Sequence, residues 1–208
     1  ERLSFFELMI FPKKIAIASG NAGKMQEIKL IFQGLGIHFL SQKELGVKES
    51  DEPYDTFLEN ALSKARHVSK QTGLPAMADD SGICASALDG RPGVKSARFY
   101  GQNSTDKQNN DHLIELMSGC TDRRVYYYCA LVMVRKYDDP VPLISDGRWF
   151  GELLRAPRGE GGFGYDPLFL DCDLQLSGAE MSLEQKNKLS HRGSAVRKMR
   201  NFFESGAY

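Results

Sequence analysis

The chain has 208 residues, 41% hydrophobic and 26% charged, enough for one well-filled domain or two tightly joined lobes. Its 27 Lys and Arg cancel its 27 Asp and Glu, so the basic excess of a nucleic-acid binder is missing, although local clusters can still hold small anions. No apolar run approaches the roughly 20 residues that cross a bilayer, so no membrane partner is expected.

Residues 1–12 are apolar but carry acids, and they lack the basic start and small-residue cleavage site of a signal peptide. They read as an N-terminal extension without chemistry, with a short helix as one option, ahead of a single domain over residues 13–208. Ile15-Ala-Ile-Ala-Ser19 is a buried-strand pattern, Gly20-Asn-Ala-Gly23 breaks it, and Met25, Ile28, Ile31, Phe32 and Leu35 then recur at helical spacing. A second strand is expected near Ile37 to Leu40.

Tyr54 to Gly73 reads as an amphipathic helix with a buried stripe of Phe57, Leu58, Ala61, Leu62, Ala65 and Val68, stopped by Gly73. Leu74 to Ala78 is a short strand expected to end in a charged turn, Asp79-Asp80-Ser81-Gly82. A glycine-rich loop, Asp89 to Gly93, follows, and a helix is expected from Thr105 to Met117. Val125 to Val134 looks like a central strand with Pro142 to Trp149 as its neighbour. One last helix runs from about Ser182 towards Phe203. The pattern predicts an α/β fold: a mixed, twisted sheet flanked by helices, two lobes around a central cleft.

The four cysteines (Cys84, Cys120, Cys129 and Cys172) form no CxxC pair and no His/Cys metal spacing, and read as thiols of a reducing, cytoplasmic setting. Four other segments carry chemistry. Ser19-Gly-Asn-Ala-Gly-Lys24 joins a strand to a helix start, where exposed amides, the helix dipole and Lys24 favour an anion; it is not a Walker loop, and a plain βα turn is the bland alternative. Asp79 and Asp80 could hold Mg²⁺ through oxygen, or form a solvated acidic turn. In Gly161-Gly-Phe-Gly-Tyr-Asp-Pro167, Phe163 and Tyr165 offer rings for stacking and Asp166 an acceptor for a base edge or for the loop itself. A hairpin with an aromatic plug is the alternative. Lys186, His191 and Arg192 cluster donors suited to phosphate oxygens or a purine carbonyl, or else line a solvated helix face.

In this order and at these separations, the segments closely resemble the inosine triphosphate pyrophosphatase family. Thr56-Phe-Leu-Glu-Asn60, Pro92-Gly-Val-Lys-Ser-Ala-Arg98 and Ser190-His-Arg192 belong to the same pattern, which runs from Lys13 to the last helix. Ser19 stands where many relatives have threonine. The resemblance implies that Ser19, Gly20, Asn21, Ala22, Gly23 and Lys24 cradle a triphosphate. It makes Asp80 the base on water and a ligand of Mg²⁺, with Glu52, or its competitor Glu49, as the second metal-contacting acid. Ser81, Phe163, Gly164, Tyr165, Asp166, Lys186, His191 and Arg192 would contact the nucleotide. The implied activity is Mg²⁺-dependent cleavage of ITP, dITP or XTP to the monophosphate and pyrophosphate by a homodimer. The rivals are a related pyrophosphatase with another base preference and a nucleotide-binding regulator without turnover.

Overall fold

The computed structural model describes residues 12–206; the N-terminal extension, but for Pro12, therefore lies outside the described residues. Seven strands are hydrogen-bonded in the order β2-β1-β3-β4-β5-β6-β7: β1 (Lys14–Ile17), β2 (His38–Ser41), β3 (Ala76–Ala85), β4 (Arg124–Val134), β5 (Leu143–Leu153), β6 (Phe169–Asp171) and β7 (Leu176–Ser177). The sheet is mixed, since β1 runs parallel to β2 and β3 while β6 is antiparallel to β5 and β7. The helices are α1 (Ala22–Ile31), α2 (Phe57–Thr72), α3 (Asp106–Leu116), α4 (Leu183–Leu189) and α5 (His191–Glu204). Among the described residues no helix is long and apolar enough to cross a membrane.

Helix limits follow from local capping. Asn21 accepts from the Lys24 amide at 3.1 Å and opens α1. Thr56 does the same for α2 through the Glu59 amide, and Gly73, left-handed at φ 70°, closes it. Thr105 and Gln108 form a reciprocal box at the start of α3.

Three expectations are corrected. The acidic pair does not sit in a turn: β3 continues unbroken through Asp79, Asp80, Ser81 and Gly82 to Ala85. The last helix is two helices, divided at Ser190, whose backbone is extended (φ −65°, ψ 156°) and whose hydroxyl accepts from the Gly193 amide at 3.0 Å. Ser190 thus ends α4 and caps α5. The stripe of α2 also differs from the apolar pattern: Asn60, Ala61, Ala65, Val68 and Ser69 are its buried residues, whereas Leu58 is 39% exposed.

The chain divides into two compact units, each with its own core. Among the described residues, one comprises those through Asp80, Ala130–Asp146 and those from Ala195 onward. Its core includes Ile15, Ile17, Met77 and Leu131, and Phe32 meets Phe39 and Phe203 edge-on at 5.2 and 5.4 Å. The other comprises Ser81–Cys129 and Gly147–Ser194. Ile83, Leu113, Met117, Trp149, Leu168 and Phe169 are buried in its core.

Candidate functional site

In the first unit, β3 carries two adjacent acids that are almost fully buried, Asp79 at 3% and Asp80 at 6% exposure. Side chains of adjacent strand residues leave on opposite faces, so each acid needs its own partner. Lys24, from the first turn of α1, donates to Asp79 Oδ2 at 2.9 Å. Lys64, from α2, donates to Asp80 Oδ1 and to Glu52 Oε1, both at 2.9 Å. The acids are therefore paired, each through a lysine.

Asn60 lies one turn before Lys64 on α2. Its amide donates to Asp80 Oδ2 (3.4 Å) and to the Tyr54 carbonyl (3.0 Å) while accepting from the Tyr54 amide (3.1 Å). One helix face thus fixes both Asp80 and the loop that delivers Glu52. Glu49, the competing acid, accepts from Gln42 at 3.4 Å and crowds the space a Cβ on Gly20 would need.

Three carboxylates (Asp79, Asp80 and Glu52) face two ammoniums (Lys24 and Lys64). The shifts run upward in both members of the central pair. Burial pushes the Asp80 carboxyl above its usual value, the neighbouring Lys64 pulls it back, and the charge on Glu52 pushes it up again. Burial also opposes the charge on Lys64, but Asp80, Asp79 and Glu52 outweigh it and hold the ammonium protonated.

Glu52 and Asp80 are oxygen donors brought to one cation, a donor set that fits a hard divalent ion such as Mg²⁺. Among the described residues no group of three or more His, Cys, Asp or Glu is placed to hold a metal. An ion bound by these two acids would draw its remaining ligands from water and phosphate.

The segment expected to cradle phosphates opens α1. The Ser19 hydroxyl accepts from the Asn21 amide at 3.1 Å, and the Asn21 side chain is spent on the helix cap. What remains for an anion is the positive end of the helix, with Gly20, Asn21 and Ala22 exposed.

In the second unit, Asp166 anchors a cluster of rings and cations. It is 2% exposed, and its Oδ2 accepts from Lys186 Nζ at 2.6 Å and from the Phe163 amide at 2.8 Å. Tyr127 donates to the other oxygen at 3.4 Å. Of the two readings for Asp166, holding the loop is the one these contacts satisfy. Lys186 Nζ lies 4.3 Å above the Phe163 ring and the Arg192 guanidinium 5.6 Å from it. Arg192 also donates to the Ser81 hydroxyl at 2.9 Å. His191 stacks on Tyr127, with centroids 4.5 Å apart and planes within 6°.

The two rings of the loop part company. Phe163 is half-buried, with a face towards the cations; Tyr165 is 4% exposed and donates to the Ser96 carbonyl at 2.8 Å, as the plug of the alternative reading would. Gly164, left-handed at φ 63°, is held at both ends of its residue: its amide donates to Asp106 (2.7 Å) and its carbonyl accepts from Asn110 (3.0 Å).

Lys64, Asp106, Asn110 and Tyr127 escape the sequence reading, and Asn60 enters it only as the last residue of a motif, with no role. For Asn60 and Lys64 a signal existed, two polar residues four apart in the stripe of an amphipathic helix. For Asp106 it is hidden, because a residue at a helix start reads first as a cap; Asn110, a turn further on, gives no signal of its own.

Fold and side chains together define a class: a mixed α/β protein with a carboxylate–lysine cluster suited to a cation and a ring-and-cation cluster suited to a phosphorylated aromatic ligand. The chain belongs to the Ham1 family, which it matches over residues 15–202. A relative from Nitrosomonas europaea is 54% identical over 186 residues, covering 89% of this chain and 92% of its own, and one from Burkholderia pseudomallei is 52% identical over 187 residues, covering 88% and 90%. Both are named dITP/XTP pyrophosphatase, so the resemblance seen in the sequence is borne out. A HAM1 protein from Coxiella burnetii superposes with a TM-score of 0.87 at 41% identity, covering 92% of this chain and 98% of its own. The Staphylococcus aureus Ham1 protein does so at 0.83 and 35% identity, covering 93% and 100%.

Proposed function

We propose that this chain hydrolyses dITP, XTP and ITP to the nucleoside monophosphate and pyrophosphate, with Mg²⁺ as cofactor. The observation that carries the reading is the convergence of Glu52 and Asp80 on Lys64, in a chain about half identical to proteins named dITP/XTP pyrophosphatase. A bound Mg²⁺ would be held by Glu52 and Asp80 and would neutralise phosphate oxygens.

The chain's own residues do the rest. Lys24 and the amides from Gly20 to Gly23 bind the phosphates at the start of α1. Asp80 takes the proton of an attacking water as the anhydride between the α and β phosphates breaks, and pyrophosphate leaves with the bridging oxygen. Lys64 and Asn60 keep the Asp80 carboxylate aimed and ionised. Ser81, Lys186 and Arg192 bind the nucleotide, and Phe163 gives the base a face to stack on. His191 and Arg192 donate to the 6-oxo group of a hypoxanthine or xanthine ring. An adenine amine in that place leaves the donors unpaired, a loss of about 1–3 kcal/mol per group or roughly ten- to a hundredfold.

We extend the proposal to a cytoplasmic homodimer in which residues 13–208 act as one functional domain. A panel of ITP, dITP, XTP, GTP, ATP and pyrimidine triphosphates with Mg²⁺ tests the whole. Pyrophosphate and monophosphate from the first three are expected. Orthophosphate as product overturns the bond assignment, a pyrimidine preference favours a related pyrophosphatase, and tight binding without turnover favours a regulator.

A further inference from the structure

Tyr127 lies on β4, four residues past Arg123 and far in sequence from the motifs that carry the proposed nucleotide contacts. It is 6% exposed and makes two kinds of contact with them. Its ring stacks on His191 at 4.5 Å with planes 6° apart, and its hydroxyl reaches Asp166 Oδ1 at 3.4 Å. The ring is itself held from other sides, by Trp149 (6.2 Å, 22°) and Phe169 (4.9 Å, 43°), so it cannot turn without disturbing the core. An imidazole left to itself has two soft torsions; a near-parallel neighbour that is fixed removes that freedom.

We propose that Tyr127 is the positioning residue for base recognition, setting the plane of the His191 ring through its own ring and steadying the Asp166–Lys186 pair through its hydroxyl. The claim rests on the proposed function for His191 as a 6-oxo donor, and it deepens that reading by naming what aims the donor. Direction is where its effect falls: a donor tilted out of the base plane loses the 6-oxo bond yet leaves the phosphate contacts intact. The ring is the larger contribution, because Asp166 keeps Lys186 and the Phe163 amide when the hydroxyl is gone.

The test uses Tyr127→Phe, which keeps the ring, and Tyr127→Met, which fills much of the space with a flexible apolar chain and removes the plane. The ratio of kcat/KM for ITP to that for ATP is expected to stay within about twofold in Tyr127→Phe and to fall roughly tenfold in Tyr127→Met, through KM for ITP with kcat retained. In a His191→Ala background Tyr127→Met should lower the ratio no further, since Tyr127 acts through His191. A wild-type ratio in Tyr127→Met, or an equal loss in both backgrounds, overturns the proposal. A second measurement needs no unstable variant: the His191 ring protons in the wild-type NMR spectrum should lie upfield of free imidazole and remain there in Tyr127→Phe. Resonance at the free position overturns the stack. A wild-type protein that shows the upfield ring but turns over no ITP refutes the proposed function and leaves the positioning geometry standing.

Discussion

Lys64 donates to Asp80 at 2.9 Å across 16 residues of sequence, from α2, whose buried face also carries Asn60 and Ser69. The same ammonium reaches Glu52, so its removal takes from both acids the cation they share. Lys64→Met is expected to lower stability at pH 7 by about 3 kcal/mol, the scale of breaking a buried ion pair from one side. The loss should shrink at acidic pH, where Asp80 takes up a proton and no longer needs the partner. Urea unfolding at pH 7 and pH 5 checks this; an equal loss at both values would separate Lys64 from the charge state of Asp80.

Asp80→Asn probes the same centre from the other side. The amide keeps the shape of the carboxylate and its oxygen can still accept from Lys64; the long Asn60 contact is given up, while the burial cost of a second negative charge beside Glu52 is removed. The fold should survive, with a melting shift inside the roughly 2–4 °C that 1 kcal/mol produces at this size. Turnover of ITP should fall by about 10²–10⁴, the usual worth of a positioned base. A folded variant with wild-type kcat takes Asp80 out of the mechanism.

What could be read from the sequence was whatever local chemistry decides. Thr56 and Gly73 mark the ends of α2 because a hydroxyl cap and a left-handed glycine act within one turn. Asp79 and Asp80 were placed in a turn because acids inside a strand are locally unfavourable. Lys24, 55 residues away from Asp79, and Lys64 overturn that preference, and no window of neighbouring residues contains them. The break at Ser190 had a visible sign, a serine able to cap, but helical spacing on both sides concealed it. The sequence leaves Asp166 open between loop and base edge, and only the convergence of Lys186, Tyr127 and the Phe163 amide favours the loop.

Gly162 shows how tightly that loop is drawn. It is left-handed at φ 74°, and a Cβ there would overlap the Asp166 carboxylate, which three donors hold in place. Gly162→Ala therefore has to unseat Asp166 or distort the loop, in addition to a left-handed strain of about 1–2 kcal/mol. KM for ITP should rise by about tenfold or more, as 1.4 kcal/mol of lost positioning implies. Because the Lys24 and Asp80 contacts are untouched, kcat should change less. Steady-state kinetics at saturating Mg²⁺ decides, and an unchanged KM would show that the loop does not shape the base contacts.

Acid stability depends on a carboxylate outside both clusters, Glu180. Glu180 accepts from Arg158 through two guanidinium nitrogens at 3.0 and 2.6 Å and from the Ser177 amide at 2.7 Å. The Arg158 bonds first, then the Ser177 amide, hold its carboxyl down to about 2 from an ordinary 4.5. A carboxyl depressed by folding stabilises the native state above its unfolded value and loses that contribution as pH falls through the folded one. Glu180→Gln should therefore melt below the wild type at pH 7. The gap should be undiminished down to about pH 4.5, close progressively between there and about pH 2, and diminish with added salt, because both side chains are partly open to solvent. Melting curves of the two proteins across that range test it: a gap that stays constant to pH 2 would mean that the variant acts through lost packing, with the ion pair contributing nothing.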